Sequence, residues 1–183
     1  MAAMIEVLDY LEEVTAYPKT PTGLSAAAQA LAPEVVWDRI YSWIAWRWGT
    51  TLAEWKCCGG EGDEFILPLT PATVTNAAYW NPAEQDWIGV TFALSPRGIE
   101  LPSSTTWRIS AICGGEEDAP EAVQEAYRRL AEYMVSGQEG PAFASSITSG
   151  ELSIRMRPDH VGRALQYSGA ADLLRPYRKL GRD

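Results

Sequence analysis

The chain contains one histidine, His160, and three cysteines, Cys57, Cys58 and Cys113. A nucleophile–histidine triad has only His160 for a base, and that residue sits in a first helical turn amid arginines, the setting of a solvated side chain. Cys57, Cys58, Cys113 and His160 formally supply a Cys3His zinc set. Their spacing matches no finger pattern, and adjacent cysteines address one metal poorly. Glu61, Asp63 and Glu64 follow two glycines as in some calcium loops, but without EF-hand spacing, so a polar turn is expected. GGEGDE (59–64) lacks the lysine and following helix of a phosphate loop. Carboxylate pairs are plentiful in so acidic a chain and single out nothing. The expectation is a protein that is not an enzyme and holds neither metal nor cofactor.

Eight tryptophans are the other unusual feature, and Trp37, Trp43, Trp46, Trp48 and Trp55 crowd into one stretch. Such rings stack on bases or sugars. The net charge of −9 argues against a phosphate backbone. Trp43 and Trp46 fall in a helical pattern, whereas sugar platforms favour sheets and loops. Packing in a core or an interface is therefore the expected role, with a tryptophan-rich carbohydrate-binding or tail-associated binding module as the alternative.

The charge is unevenly spread. Residues 1–154 hold eight Lys and Arg against twenty-one Asp and Glu, and residues 155–183 hold seven against three, giving −13 and +4. An acidic body with a basic tail points to a tail that seeks an acidic surface. An odd cysteine count with two neighbours is not a disulfide framework. The acidic start MAAMIEVLDYLEE is not expected to be a signal peptide, and no apolar run reaches membrane-spanning length. Folding in a reducing cytoplasm is expected.

The elements that must position these residues follow from periodicity. Residues 3–16 read as a helix with Ile5, Leu8 and Leu11 on one side. Ser25 suits an N-cap for AAAQALA. Pro33 opens a strongly apolar helix that runs to Gly49. TTLAEWKCC, EFILPL, ATVTNAAYW, DWIGVTFAL and TWRISAIC read as strands of a small antiparallel sheet. Asp118, Pro120 and Glu121 start a helix whose stripe is Val123, Tyr127, Leu130 and Met134. Residues 140–153 read as an extended arm or strand, and Pro158 opens a last helix that Gly169 breaks. The expected fold class is α+β: a helical bundle of about four helices with an inserted small antiparallel β-sheet and an extended C-terminal arm. Residues 1–140 would be the body, with the sheet at about 50–113, and 141–183 the arm and a docking segment.

That segment, SGAADLLRPYR (168–178), places Leu173, Leu174, Pro176 and Tyr177 between arginines. Apolar anchors that fill pockets while arginines find carboxylates are the composition of a docking peptide; folding back on its own domain is the competing account. The stretch resembles the C-terminal ending of the adaptors among tailed-phage head–tail connector proteins, the siphophage head-completion family, and in particular those of gene transfer agents, phage-like particles of alphaproteobacteria. DRIYSWIAWRWG (38–49) resembles the family's aromatic helix, LPLTPATVTNAAYW (67–80) the strand entry after it, and EAVQEAYRRLAEYM (121–134) the long helix before the arm. Together they span roughly 34–178; the first thirty residues carry no resemblance.

The resemblance implies a structural protein of the virion neck, assembled in the host bacterial cytoplasm, with no membrane partner. About twelve copies would form a closed homo-oligomeric ring below the portal protein. The other face would receive a stopper or another downstream connector, and DNA would pass through the lumen without specific binding. By matching motif, Leu173, Leu174, Arg175, Pro176, Tyr177 and Arg178 would bind the portal. Trp43, Trp46, Tyr127 and Arg128 would contribute to the ring interface.

Overall fold

A computed structural model describes residues 5–95, 98–103, 105–115, 118–136, 146–149, 152–155 and 163–178. In chain order the elements are β1 (Glu6–Ala16), α1 (Ala26–Gln29), α2 (Pro33–Tyr41), β2 (Gly49–Gly59), β3 (Glu64–Ile66), β4 (Ala72–Asn81), β5 (Asp86–Gly89), β6 (Ala93–Leu94), β7 (Gly98–Glu100), β8 (Thr105–Gly115), α3 (Glu121–Ser136), β9 (Ser146–Ser149), β10 (Leu152–Arg155), α4 (Ala164–Tyr167) and α5 (Ala170–Leu174), with a 3-10 turn over Arg175–Tyr177. The expected helical bundle with a small inserted sheet is overturned. Strands make up about 40% of the described residues, in antiparallel sheets of five and three strands, and most of the helices are short.

Two compact units emerge, one from Met1–Pro18 and Ala45–Asp118, the other from Lys19–Ile44 and Ala119–Asp183. The first is all β. Its main sheet has the order β1-β2-β8-β4-β5, and a smaller sheet has the order β3-β7-β6. Buried residues alternate along both long strands, Thr51, Ala53, Trp55 and Cys57 in β2 and Trp107, Ile109, Ala111 and Cys113 in β8, so one face of each faces the core. Ala53, Trp55 and Cys57 of β2 share the buried face with Trp107, Ile109, Ala111 and Cys113 of β8 and Ala77 of β4; Phe65, Ile99 and Leu101 belong to the same cluster. Each large side chain buried this way contributes about 1.5–3 kcal/mol relative to leaving it in water.

β1 is the largest departure from the sequence reading, which made it a helix. Its leucines recur at three-residue spacing, but Tyr10 lies between them and Val7, Val14 and Thr15 flank them, and its four carboxylates have no basic residue one helical turn away to pair with. The partners lie far along the chain instead. Glu12 accepts from Arg47 (Nε–Oε1 2.6 Å, Nη2–Oε2 3.1 Å), and Asp9 pairs with Lys56 at 2.9 Å. Tyr10 lies opposite Trp55 in the register and stacks on its ring at 5.9 Å. Burial, reinforced by the hydrogen bond to Glu12, pushes the Tyr10 phenol well above its ordinary value.

The long aromatic helix expected from Pro33 to Gly49 also divides. Helix α2 stops at Tyr41; the Ser42 hydroxyl donates to the Arg39 carbonyl and helps to close the end. The chain then turns extended: Thr70 N donates to Ala45 O and Arg47 N to Thr70 O. Gly49 begins β2 at φ +77°, where a side chain would collide with the Ala16 carbonyl.

The second unit is built around α3. Val123, Ala126, Tyr127, Leu130 and Ala131 are its buried face, and Trp37 of α2 lies 5.0 Å from the Tyr127 ring. Ser25 caps α1 by accepting from Ala28 N, and donates from its own N and Oγ to the Glu132 carboxylate at 2.7 and 2.8 Å. β9 and β10 form a separate two-stranded antiparallel sheet. Among the described residues, no helix is long and apolar enough to cross a membrane.

Candidate functional site

The C-terminal segment is positioned by a left-handed turn. Gly169, at φ +73°, reverses the chain between α4 and α5, a conformation that glycine adopts without the steric cost of a side chain. α5 then packs on α3. Ala170 and Leu174 are completely buried, Leu173 and Tyr177 are half-buried, and Arg175, Pro176 and Arg178 are exposed. The six candidate docking residues thus separate into one core anchor and a strip that remains accessible. Within that strip the Arg178 guanidinium lies over the Trp43 ring, 4.2 Å from its centroid, a cation–π contact. Trp43 also lines an open cavity of about 390 Å³ together with Arg163, Leu165 and Gln166. Two residues assigned to different surfaces by resemblance therefore meet.

The other candidates do not form one patch. Tyr127 is buried, and burial pushes its phenol above the ordinary value, opposed by a hydrogen bond with Thr20. Arg128 is engaged in its own unit: Nε donates to the Thr22 carbonyl at 2.9 Å, Nη1 to Glu125 at 3.0 Å and Nη2 to Glu121 at 2.8 Å. These bonds clamp the chain before α1 onto α3. Trp46 belongs to the β unit, beside Trp48 at 6.2 Å. Trp43 and Trp46 are therefore not two faces of one helix.

The thiols are arranged for packing. Cys57 and Cys113 are on the buried face, and desolvation pushes them up to about 12 and about 11. Cys57 pairs with Trp107 and Cys113 with Thr51, a separation of roughly 20 Å along the strand at its normal rise. Cys58 points to the other face, with Sγ 3.3 Å from Thr106 Oγ1. His160 lies outside the described residues, among which no three His, Cys, Asp or Glu side chains cluster to hold a metal ion. Glu61, Asp63 and Glu64 border a turn in which Asp63 accepts from Gly60 N at 2.6 Å.

Sequence reasoning missed a surface. Nine large apolar side chains stand exposed among the described residues, and six of them lie on β1 or on the outward face of its sheet: Val7, Leu8, Tyr10, Leu11, Leu52 and Ile112. Leu52 lies opposite Ile112, and Glu13 opposite Leu52. Farther along the same face, Arg108 lies 5.0 Å from the Trp87 ring centroid, and Trp87 lies 5.4 Å from Trp80 in an edge contact. The signal for this surface was the adjacency of carboxylates and leucines in residues 6–13, which assignment to a helix concealed.

No protein family matches the chain, and no curated protein matches it. Among solved structures, a chain from the virion of a native gene transfer agent particle shares the fold. The TM-score is 0.56 at 15% identity, over 99% of this chain and 98% of the other. At that identity the likeness establishes the architecture, end to end, and no residue roles.

Proposed function

We propose that the chain is a structural protein of a phage-like virion, the adaptor that forms a ring below the portal and links head to tail. The observation that carries this reading is the end-to-end likeness in fold to a chain of an assembled gene transfer agent particle. The C-terminal stretch 168–178 supports the finer assignment: it offers exposed Arg175, Pro176 and Arg178 and half-buried Leu173 and Tyr177 at one edge. In this reading Leu174 and Ala170 hold the segment in place, while the exposed residues engage carboxylates and pockets of the portal. The protein acts as an assembly part and not as an enzyme. Its acidic body, −13 over residues 1–154, would keep passing DNA from adhering if it lines the channel.

Co-sedimentation with the portal of the same particle tests the reading. Truncation would remove the buried anchors, so the variant is Arg175→Ala/Tyr177→Ala/Arg178→Ala. It should unfold close to the unsubstituted protein and lose portal binding by at least about tenfold. Equal binding by both proteins would move the portal contact to the body, and no binding by either would remove the adaptor assignment. The half-exposed Trp80–Trp87 pair on a β-hairpin is the one feature that favours a carbohydrate-binding module. A tryptophan fluorescence response to oligosaccharides would support it, but Arg108 already covers the Trp87 ring.

A further inference from the structure

β1 is a long edge strand, guarded by its carboxylates and by bulges at Val7–Asp9 and Val14–Ala16, which leave Asp9–Val14 in regular pairing. It is eleven residues long, at the end of the five-stranded order, and contains neither lysine nor proline. Proteins that must stay monomeric shorten such edges or interrupt them with those residues. Here the edge carries Val7, Leu8, Tyr10 and Leu11, each at least 44% exposed. On the outward face Leu11 is followed by Leu52 and Ile112, at 42% and 43%.

The same chain contains a two-stranded sheet. β9 and β10, four residues each, pair only with one another among the described residues. An isolated two-stranded ribbon is marginal in water and gains stability from a third strand. Its register sets Ile154 opposite Ile147 and Leu152 opposite Ser149, so three of four positions on one face are apolar in sequence.

Charge indicates how the two meet. β1 carries Glu6, Asp9, Glu12 and Glu13 and no cation, so two β1 strands laid side by side would repel. β10 ends at Arg155. Contact between unlike surfaces is the heterologous geometry from which closed rings are built, with strand addition supplying the backbone hydrogen bonds.

We propose that the free edge of β1 is completed by the β9–β10 hairpin of a second copy of this chain, making one sheet that crosses the boundary between subunits. The inference rests on the ring reading and specifies a surface for it. The test uses full-length protein with Cys58→Ser, which leaves only the buried thiols Cys57 and Cys113. One preparation adds Glu13→Cys and another adds Ser149→Cys. Mixed and treated with a short bis-maleimide, the two should give a heterodimer in greater yield than either gives with itself. Adding Leu11→Lys to the Glu13→Cys chain should cut that yield at least tenfold, with the unfolding midpoint unchanged. The inference is overturned by a β1–β1 homodimer, by cross-linking only within a chain that carries both cysteines, or by no heterodimer even with portal present. Portal co-sedimentation is read separately: binding without the cross-link refutes this inference alone, and the cross-link without binding refutes the adaptor assignment alone.

Discussion

β1 and the segment around α5 are both short stretches in which leucines alternate with charges, and the structure treats them oppositely. Leu11 is 65% exposed and Leu174 is completely buried. In sequence the tail looked like the part that needed another protein, and the N-terminal stretch looked like an ordinary amphipathic helix. The difference teaches that an apolar stripe demands cover without naming its source. For Leu174 the cover is α3, reached because Gly169 turns the chain back; for β1 the neighbouring strand covers one edge only.

The largest expected effect tests that contrast directly. Leu174→Ala should lower stability by about 2–5 kcal/mol, the usual cost of a cavity at a fully buried leucine. Leu11→Ala should stay within about 0.5 kcal/mol in the isolated chain. Denaturant unfolding of the two variants measures both. If the order reversed, the tail would not be part of its unit's core, and β1 would be covered in solution.

Next in size is the polar tie that holds β1 to its sheet. Arg47 is 4% exposed and meets Glu12, at 20%, through two hydrogen bonds. Arg47→Ala leaves the Glu12 carboxylate without its cation and should cost about 3–5 kcal/mol if the pair behaves as a buried one. The exposure of Glu12 pulls the expectation to the lower end. Hydrogen exchange along 6–16 and 49–59 should rise first, because those strands share the tie. Unchanged protection would show that backbone pairing alone suffices to hold the strand.

Legibility followed the same division. β2, β4, β8 and α3 fall where their alternation or their 3–4 spacing placed them, since each buries the apolar face that its own pattern marks. Ser25 as the cap of α1 was likewise visible. The failures were β1 and the residues after Tyr41, where pairing across long sequence distances outweighed local periodicity. Glu12 finds Arg47 across 35 positions, and Arg47 N finds Thr70. The strip Arg175–Arg178 could be seen in sequence; that Leu174 turns inward could not, because nothing in LLRPYR separates an anchor for the chain itself from one for a partner.

A smaller effect belongs to the tail's surface contact. Arg178→Ala removes the cation from the Trp43 ring and should cost about 0.5–1 kcal/mol, as exposed cation–π pairs do. Unfolding of Arg178→Ala, Trp43→Phe and the double variant measures it as a coupling energy between the two side chains. Lys at 178 should keep part of the contact. A loss comparable with that of Leu174→Ala would make the arginine a core residue and erase the distinction between anchor and strip.

The smallest effects compare the units through their carboxylates. In the helical unit, hydrogen bonds from Arg129 and then Arg128 hold Glu125 below its ordinary value of 4.5. In the β unit, the hydrogen bond from Lys56, followed by that from the Tyr10 backbone, holds Asp9 below 3.8. A depressed folded value means that the unfolded chain binds the proton first as the pH falls. Each contribution is therefore complete above the unfolded value and is lost as pH falls through the folded one. Because both groups are exposed, solvent and salt screen these contributions. Side-chain carboxyl shifts followed by NMR should show both midpoints below the ordinary values. Arg129→Ala should return Glu125 part of the way and leave Asp9 where it was, since Arg129 takes no part in the bonds that lower Asp9. If Asp9 moved as well, the two units would be electrostatically coupled, and contrasts drawn between their ends would have to include that coupling.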